Sequence, residues 1–219
     1  MARLLGLKQV PVFVEGGDAK VTTEFGKNIH DYPTPGKTGD HFGLDIVRCT
    51  DGKSSTTATI CAIADGIITA QRKYVKDGEK SPSGGNCVYI RHDGGKMTKY
   101  LHLKYGTVPD WVKDNAEVHK GDILGVMGNT GYSFGAHLHF QVEDIDPDAP
   151  ITPKLSGIPI DPEPYLTGEK VIGKDKEYAV KIGLFAKRED AEVIQAALYA
   201  LGTDSEIEEY EKKVTVNKK

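Results

Sequence analysis

Apolar and polar positions alternate along most of the chain in short runs broken by Gly, Pro and Asp. That period of two puts successive side chains on opposite faces of a strand. "VTTEFG" (21–26) reads as a strand ending at Gly26, and "KNIHDYPTPGKTGD" as a loop. "HFGLDIVR" returns to a strand, and "TICAIADGIITAQRKY" reads as two strands around an Asp65-Gly66 turn. "NCVYIRHDGGKMTKYLHL" has the form of a hairpin turning at "HDGG". "HKGD" turns into "ILGVMG", and the Gly-rich "NTGYSFG" leads into "AHLHFQVE". Before all of these, "VPVFVEG" reads as a short strand or arm. Pro147, Pro150, Pro153, Pro159, Pro162 and Pro164 predict an extended, irregular closing segment that ends at "DPEPYL".

The style changes near residue 169. "KEYAVKIGLF" is strand-like, and in "KREDAEVIQAALYALG" Ala191, Ile194, Leu198 and Leu201 recur at helical steps. Glu189 and Asp190 stand in the first turn of that helix, and Gly202 stops it. "EIEEYEKKVTVNKK" alternates again. The expected fold class is therefore mainly β over 1–168, with a small β-α-β unit over 169–219 that is too short to build much core alone.

With 219 residues the chain can build one good core and a small appendage. The formal net charge of −4 argues against a nucleic-acid partner held through phosphates. No apolar run is long enough to cross a bilayer, so no membrane partner is expected. Lys8 and Gln9 interrupt the apolar patch of the N-terminus, so no export signal is expected either. Of three cysteines none forms a CxxC pair, which argues against a cysteine-type zinc site. Cys49 and Cys61 could face each other across a hairpin, but buried free thiols are the expectation.

Chemistry concentrates in the histidines. In "GAHLHFQVE" a strand would turn His137 and His139 to one face and Leu138 and Phe140 to the other. In "HFGLDI" Asp45 follows His41 by four residues, about 13 Å along a straight strand. The two could share an ion only if the chain bends near His41; Gly43 could supply the bend, and a loop-to-strand entry at Asp40 would also serve. "KYLHLKY" would place Tyr100 and His102 on one face. Three protein ligands, an open position and a spare base make up a common catalytic zinc site, and zinc accepts both imidazole and carboxylate.

"HFGLD", "YLHL" and "HLHF", in that order, resemble the lysostaphin-type zinc endopeptidases that cut peptidoglycan. "VTTEFG", "AIADGIITA", "VHKGDILGVMGNTGYSFGAHLHFQV" and "PIDPEPYL" agree, over roughly residues 21–166. The resemblance implies an antiparallel β-sheet with a narrow groove walled by loops and zinc at its floor. It implies zinc ligation by His41, Asp45 and His139, catalytic roles for His102 and His137, and a peptidoglycan peptide as partner. Family members often carry a Tyr shortly before the first motif; here the only one is Tyr32, nine residues before His41. His30, His92 and His119 match no functional position and read as turn or surface residues.

Two rivals follow from the same text. A non-catalytic, peptidoglycan-binding relative would be expected to have lost ligands, yet all five positions are filled. A biotinyl or lipoyl carrier would explain "AIADGIITA" and "VHKGDILGVM", with Lys96 at a hairpin tip, but would leave the histidines unexplained. The C-terminal unit weakly resembles half of a sporulation-related repeat, a glycan-binding module that a homodimer would complete. A wall hydrolase without an export signal points to a phage or prophage endolysin, cytoplasmic until released to the cell wall.

Overall fold

Alternation in sequence becomes antiparallel pairing in space. The computed structural model describes residues 2–30, 38–153 and 155–173. Its strands are β1 (Arg3–Leu4), β2 (Asp18–Thr23), β3 (Asn28–His30), β4 (Thr38–Asp40), β5 (Leu44–Thr50), β6 (Lys53–Ser54), β7 (Thr59–Cys61), β8 (Gly66–Arg72), β9 (Asn86–His92), β10 (Lys96–Leu103), β11 (Glu117–Val118), β12 (Ile123–Val126), β13 (Leu138–Asp144) and β14 (Ile158–Ile160). The main sheet runs β1-β2-β5-β13-β10-β9-β8-β11, with β14 paired to β13 and β6 to β5. Small two-stranded sheets join β7 to β12 and β3 to β4.

The core lies on one face of the main sheet. Leu138, Phe140 and Val142 of β13 meet Tyr100, Leu44 and Ile46 there, all fully buried. The Tyr100 and Phe140 rings sit 5.3 Å apart, and removing either would cost about 3–5 kcal/mol. The other face of β13 carries His139, Gln141 and Glu143, also buried. A buried polar face persists only when its groups are hydrogen-bonded, so this strand is already marked as special.

Five elements differ from the sequence reading: "KNIHDYPTPGKTGD", read as a loop, contains the paired strands β3 and β4, and four further differences follow. "VPVFVEG" is not a strand or arm: Val10, Val12 and Phe13 are buried in the core, and the segment turns on Val10 N–H to Gly17 O and Phe13 N–H to Val10 O. β7 and β8 form no hairpin; β7 leaves for β12. Gly66 serves a close approach rather than a turn, since a Cβ there would stand 2.4 Å from Arg91 O. The proline-rich closing segment includes β14 and a short helix α1 (Glu163–Thr167). Proline is tolerated in a first helical turn, so Pro162 and Pro164 start this helix rather than forbid it. Fourth, His92 is neither in the turn nor at the surface. It is buried, Nδ1–H donating to Asp65 O and Nε2 accepting from Thr98 Oγ1, both at 2.7 Å. His119 is exposed, as expected.

Burial lowers the His92 imidazole from 6.5 to about 4, despite the Asp65 carbonyl. A neutral form favoured in the fold stabilises it above pH 6.5, and this contribution is lost as pH falls from there through about 4. The loss amounts to about 3 kcal/mol. Stability of the wild type and of His92→Gln, followed by denaturant unfolding from pH 7 to pH 4, should therefore converge on acidification; parallel curves would refute the assignment.

All three cysteines are free and buried, as expected. Lys96 pairs with Asp144 at 2.8 Å within the sheet, so it is not a presented hairpin-tip lysine and the carrier reading fails. Among the described residues no helix is long and apolar enough to cross a membrane. The chain divides into two compact units, Met1–Asp175 and Lys176–Lys219. The second, with most of the expected β-α-β unit, lies outside the described residues, as does Tyr32.

Candidate metal centre and groove

The bend needed between His41 and Asp45 exists. His41 precedes β5, its N–H donating to Lys27 O and its C=O accepting from Gly26 N. Asp45 is already in β5, directly opposite His139 in β13. Gly43 is required by proximity, not by an unusual φ: a Cβ there would lie 2.6 Å from Phe140 O and 2.7 Å from His139 Nε2. The His139 ring occupies the space that a side chain at residue 43 would need.

Tautomers are set from outside the cluster. His41 Nδ1 faces Glu24 O at 3.0 Å, so it carries the proton and leaves the Nε2 lone pair pointing inward. His139 Nε2 faces Gln141 Oε1 at 3.2 Å, which leaves the Nδ1 lone pair inward. His41 Nε2, Asp45 Oδ1 and His139 Nδ1 then form a closed triangle with sides of 3.0, 2.9 and 3.0 Å. Three lone pairs aimed at one point repel one another unless a cation or proton sits among them. Zinc with bonds of about 2.0–2.1 Å would hold tetrahedral ligands about 3.3–3.4 Å apart, so this donor set fits it after a small opening. These three residues form a candidate metal-binding group.

His102 and His137 stand beside the triangle. His137, just before β13, turns to the same side as His139, as the alternation predicts, with Nε2 3.4 Å from Asp45 Oδ1. Its Nδ1–H donates to Gly135 O at 2.8 Å, with Ser133 Oγ at 3.3 Å. His102 Nδ1–H donates to Thr130 O at 2.7 Å. The ring centroids of His102 and His137 are 4.7 Å apart.

One part of the sequence reading is corrected here. Tyr100 and His102 do not share a face. Tyr100 packs in the core, where its hydroxyl accepts from Ile63 N–H. The β9–β10 register shifts between Tyr100 and Leu103, and His102 has φ +62°. This bulge swings the imidazole out of simple alternation and into the groove.

Burial alone would raise the Asp45 carboxyl, but contacts with His137, His139 and His41 outweigh it and hold the group well below the usual carboxylate range. Burial lowers the His137 imidazole, yet the Asp45 carboxylate and the Gly135 carbonyl bring it above its ordinary value. Burial, with His137 and His139 as neighbours, pushes His102 down to about 3. The site thus gathers one carboxylate and four imidazoles, all with inward-facing atoms.

A cleft of about 340 Å³ opens over them, lined also by Thr22, Thr23, Val47 and Tyr132 to Ala136. Phe134 in that lining is 85% exposed. Ser133, Thr130, Gln141 and Glu143 were not singled out from sequence, although "HLHFQVE" places Gln141 and Glu143 in the same alternation as His139. Ser133 and Thr130 lie in a loop that no period marks.

An antiparallel sheet with a His/Asp/His metal-binding group at the floor of a cleft defines a class of metal-dependent hydrolases. The chain belongs to Peptidase family M23, whose model matches residues 40–162. It is 31% identical over 140 residues to an uncharacterized metalloprotease of Buchnera aphidicola, covering 63% of this chain and 32% of that one. It is 33% identical over 110 residues to peptidoglycan DD-endopeptidase ShyC of Vibrio cholerae, covering 50% and 22%. It is also 33% identical over 111 residues to glycyl-glycine endopeptidase ALE-1 of Staphylococcus capitis, covering 50% and 26%. The chain thus spans a third or less of the length of these relatives. Among solved structures, the catalytic domain of lysostaphin from Staphylococcus simulans is 28% identical, with 65% of this chain and 90% of that one covered and a TM-score of 0.42.

Proposed function

We propose that the chain is a zinc-dependent endopeptidase that hydrolyses peptide bonds in peptidoglycan stems or cross-bridges. The observation that carries this is the triangle of His41, Asp45 and His139 ligand atoms with two further imidazoles beside it. Membership of Peptidase family M23 supports it, as do the names of relatives that cut peptidoglycan. His41, Asp45 and His139 would hold the metal. Bound zinc would supply a water of near-neutral pKa and polarise the scissile carbonyl.

The protein's own groups do the rest. His102, its Nδ1–H held by Thr130 O, keeps Nε2 as the acceptor of a ring that lines the cleft and is placed to accept a proton from the attacking water. His137, its Nδ1–H held by Gly135 O, is the second imidazole lining the cleft and is placed to stabilise the developing oxyanion and to pass a proton to the leaving amine. Thr130 O and Gly135 O keep the two rings from rotating during these transfers. The cleft over these residues would take an extended peptide with small side chains.

The two named activities among the relatives cut different bonds, so the products decide between them. Zinc-loaded protein incubated with sacculi of known chemistry should release peptides whose new termini, read by mass spectrometry, name the severed bond. Stoichiometric zinc with no release from sacculi of any cross-bridge type would refute the proposal. The filled ligand set argues against the non-catalytic, wall-binding alternative.

A further inference from the structure

His139, Gln141 and Glu143 occupy positions i, i+2 and i+4 of β13 and so share one face of the strand. They are joined in a line. His139 Nε2–H donates to Gln141 Oε1 at 3.2 Å, and Gln141 Nε2 donates to Glu143 Oε1. Glu143 Oε1 also receives Lys99 Nζ at 2.5 Å, and Oε2 accepts from Gly157 N–H at 2.8 Å. The Lys99 and Glu143 side chains are 12% and 3% exposed, so water does not compete for these groups.

The direction of the line is dictated from its far end. A carboxylate paired with an ammonium is an acceptor only. The Gln141 amide must therefore turn its NH₂ toward Glu143 and its oxygen toward His139. An oxygen facing Nε2 demands the proton there, which leaves the lone pair on Nδ1, the atom that faces Asp45 and His41. Turned the other way, the amide would set its oxygen against the Glu143 carboxylate and its NH₂ against Nε2, and would drive the proton onto the nitrogen that should bind the metal.

We propose that Gln141 and Glu143 are positioning residues that fix the His139 tautomer, and that through it they set how tightly the chain holds zinc. The inference rests on the metal-site reading above. Outer partners of a metal-binding histidine typically govern about 10–100-fold in metal affinity.

The test is zinc affinity of the full chain by competition with a chromophoric chelator. Gln141→Met keeps the length of the side chain and removes the acceptor. It should weaken zinc binding about 10–100-fold, with Gln141→Leu as a second variant should methionine not fold. The exchange Gln141→Glu with Glu143→Gln, made in a Lys99→Met chain so that no buried ammonium is left against the new amide, restores the line: the carboxylate introduced at position 141 would accept from His139, and the amide introduced at position 143 would donate to that carboxylate and accept from Gly157. That double variant should regain affinity, which a merely structural role would not produce. Nitrogen-15 NMR of the metal-free chain should show His139 protonated at Nε2 in wild type and in the double variant, and a mixture in Gln141→Met. Wild-type protein that binds zinc while both single variants bind it as tightly overturns this inference alone. Wild-type protein that takes up no zinc overturns the metal-site reading along with it.

Discussion

Alanine at His41, Asp45 or His139 is expected to strip the chain of zinc and of hydrolytic activity together. Each of the three supplies one corner of the triangle, and two remaining donors do not make a stable site in competition with a chelator. The metal contributes several kcal/mol of transition-state stabilisation, so the loss in turnover should be on the order of 10³-fold or more. Asp45→Asn makes the sharpest version, because it preserves shape and removes only the charge that balances the cation. Zinc content measured by mass spectrometry beside turnover on sacculi checks this. A variant of any of the three that keeps stoichiometric zinc would remove that residue from the ligand set.

His102→Ala and His137→Ala are expected to separate metal from chemistry. Neither ring is part of the triangle, so zinc should stay bound at wild-type stoichiometry. Proton transfer by a positioned group is worth about 10²–10⁴ in rate, and each variant should lose that much in kcat with little change in KM. His102 and His137 act on one reaction coordinate from adjacent positions, their ring centroids 4.7 Å apart. The double variant should therefore lose much less than the product of the single losses. Full turnover by either single variant would refute its catalytic role; loss of zinc from either would move it into the ligand set.

Which residues gather at this site was more legible in the sequence than how they are brought there. Period-two alternation in "AHLHF" correctly placed His137 and His139 on one side and Leu138 and Phe140 on the other, which the structure shows to be the core, because β13 is a regular central strand. The pairing of His41 with Asp45 was legible only as a condition, a bend at Gly43. The bend is there because the His139 ring packs against that glycine, a contact between residues nearly a hundred positions apart that no local pattern encodes. His102 shows where alternation fails: the bulge after Tyr100 is a property of the β9–β10 pairing, and its register cannot be read from "KYLHLKY" alone. His92 shows the same limit in another form. A histidine beside "DGG" reads as part of a turn, yet Thr98 and the Asp65 carbonyl, both contributed by other segments, make a buried site for it. Prolines were over-read as excluding helix, where two of them begin α1.

The central claim, a single cation held by His41, Asp45 and His139 with His102 and His137 left free to act, has one direct measurement. Crystals of the zinc-loaded chain, with diffraction recorded on both sides of the zinc absorption edge, should show a single anomalous peak bonded to His41 Nε2, Asp45 Oδ1 and His139 Nδ1. A peak bonded to His102 or His137 in place of any of these, or no peak in the cleft of a chain that carries zinc, would contradict the account.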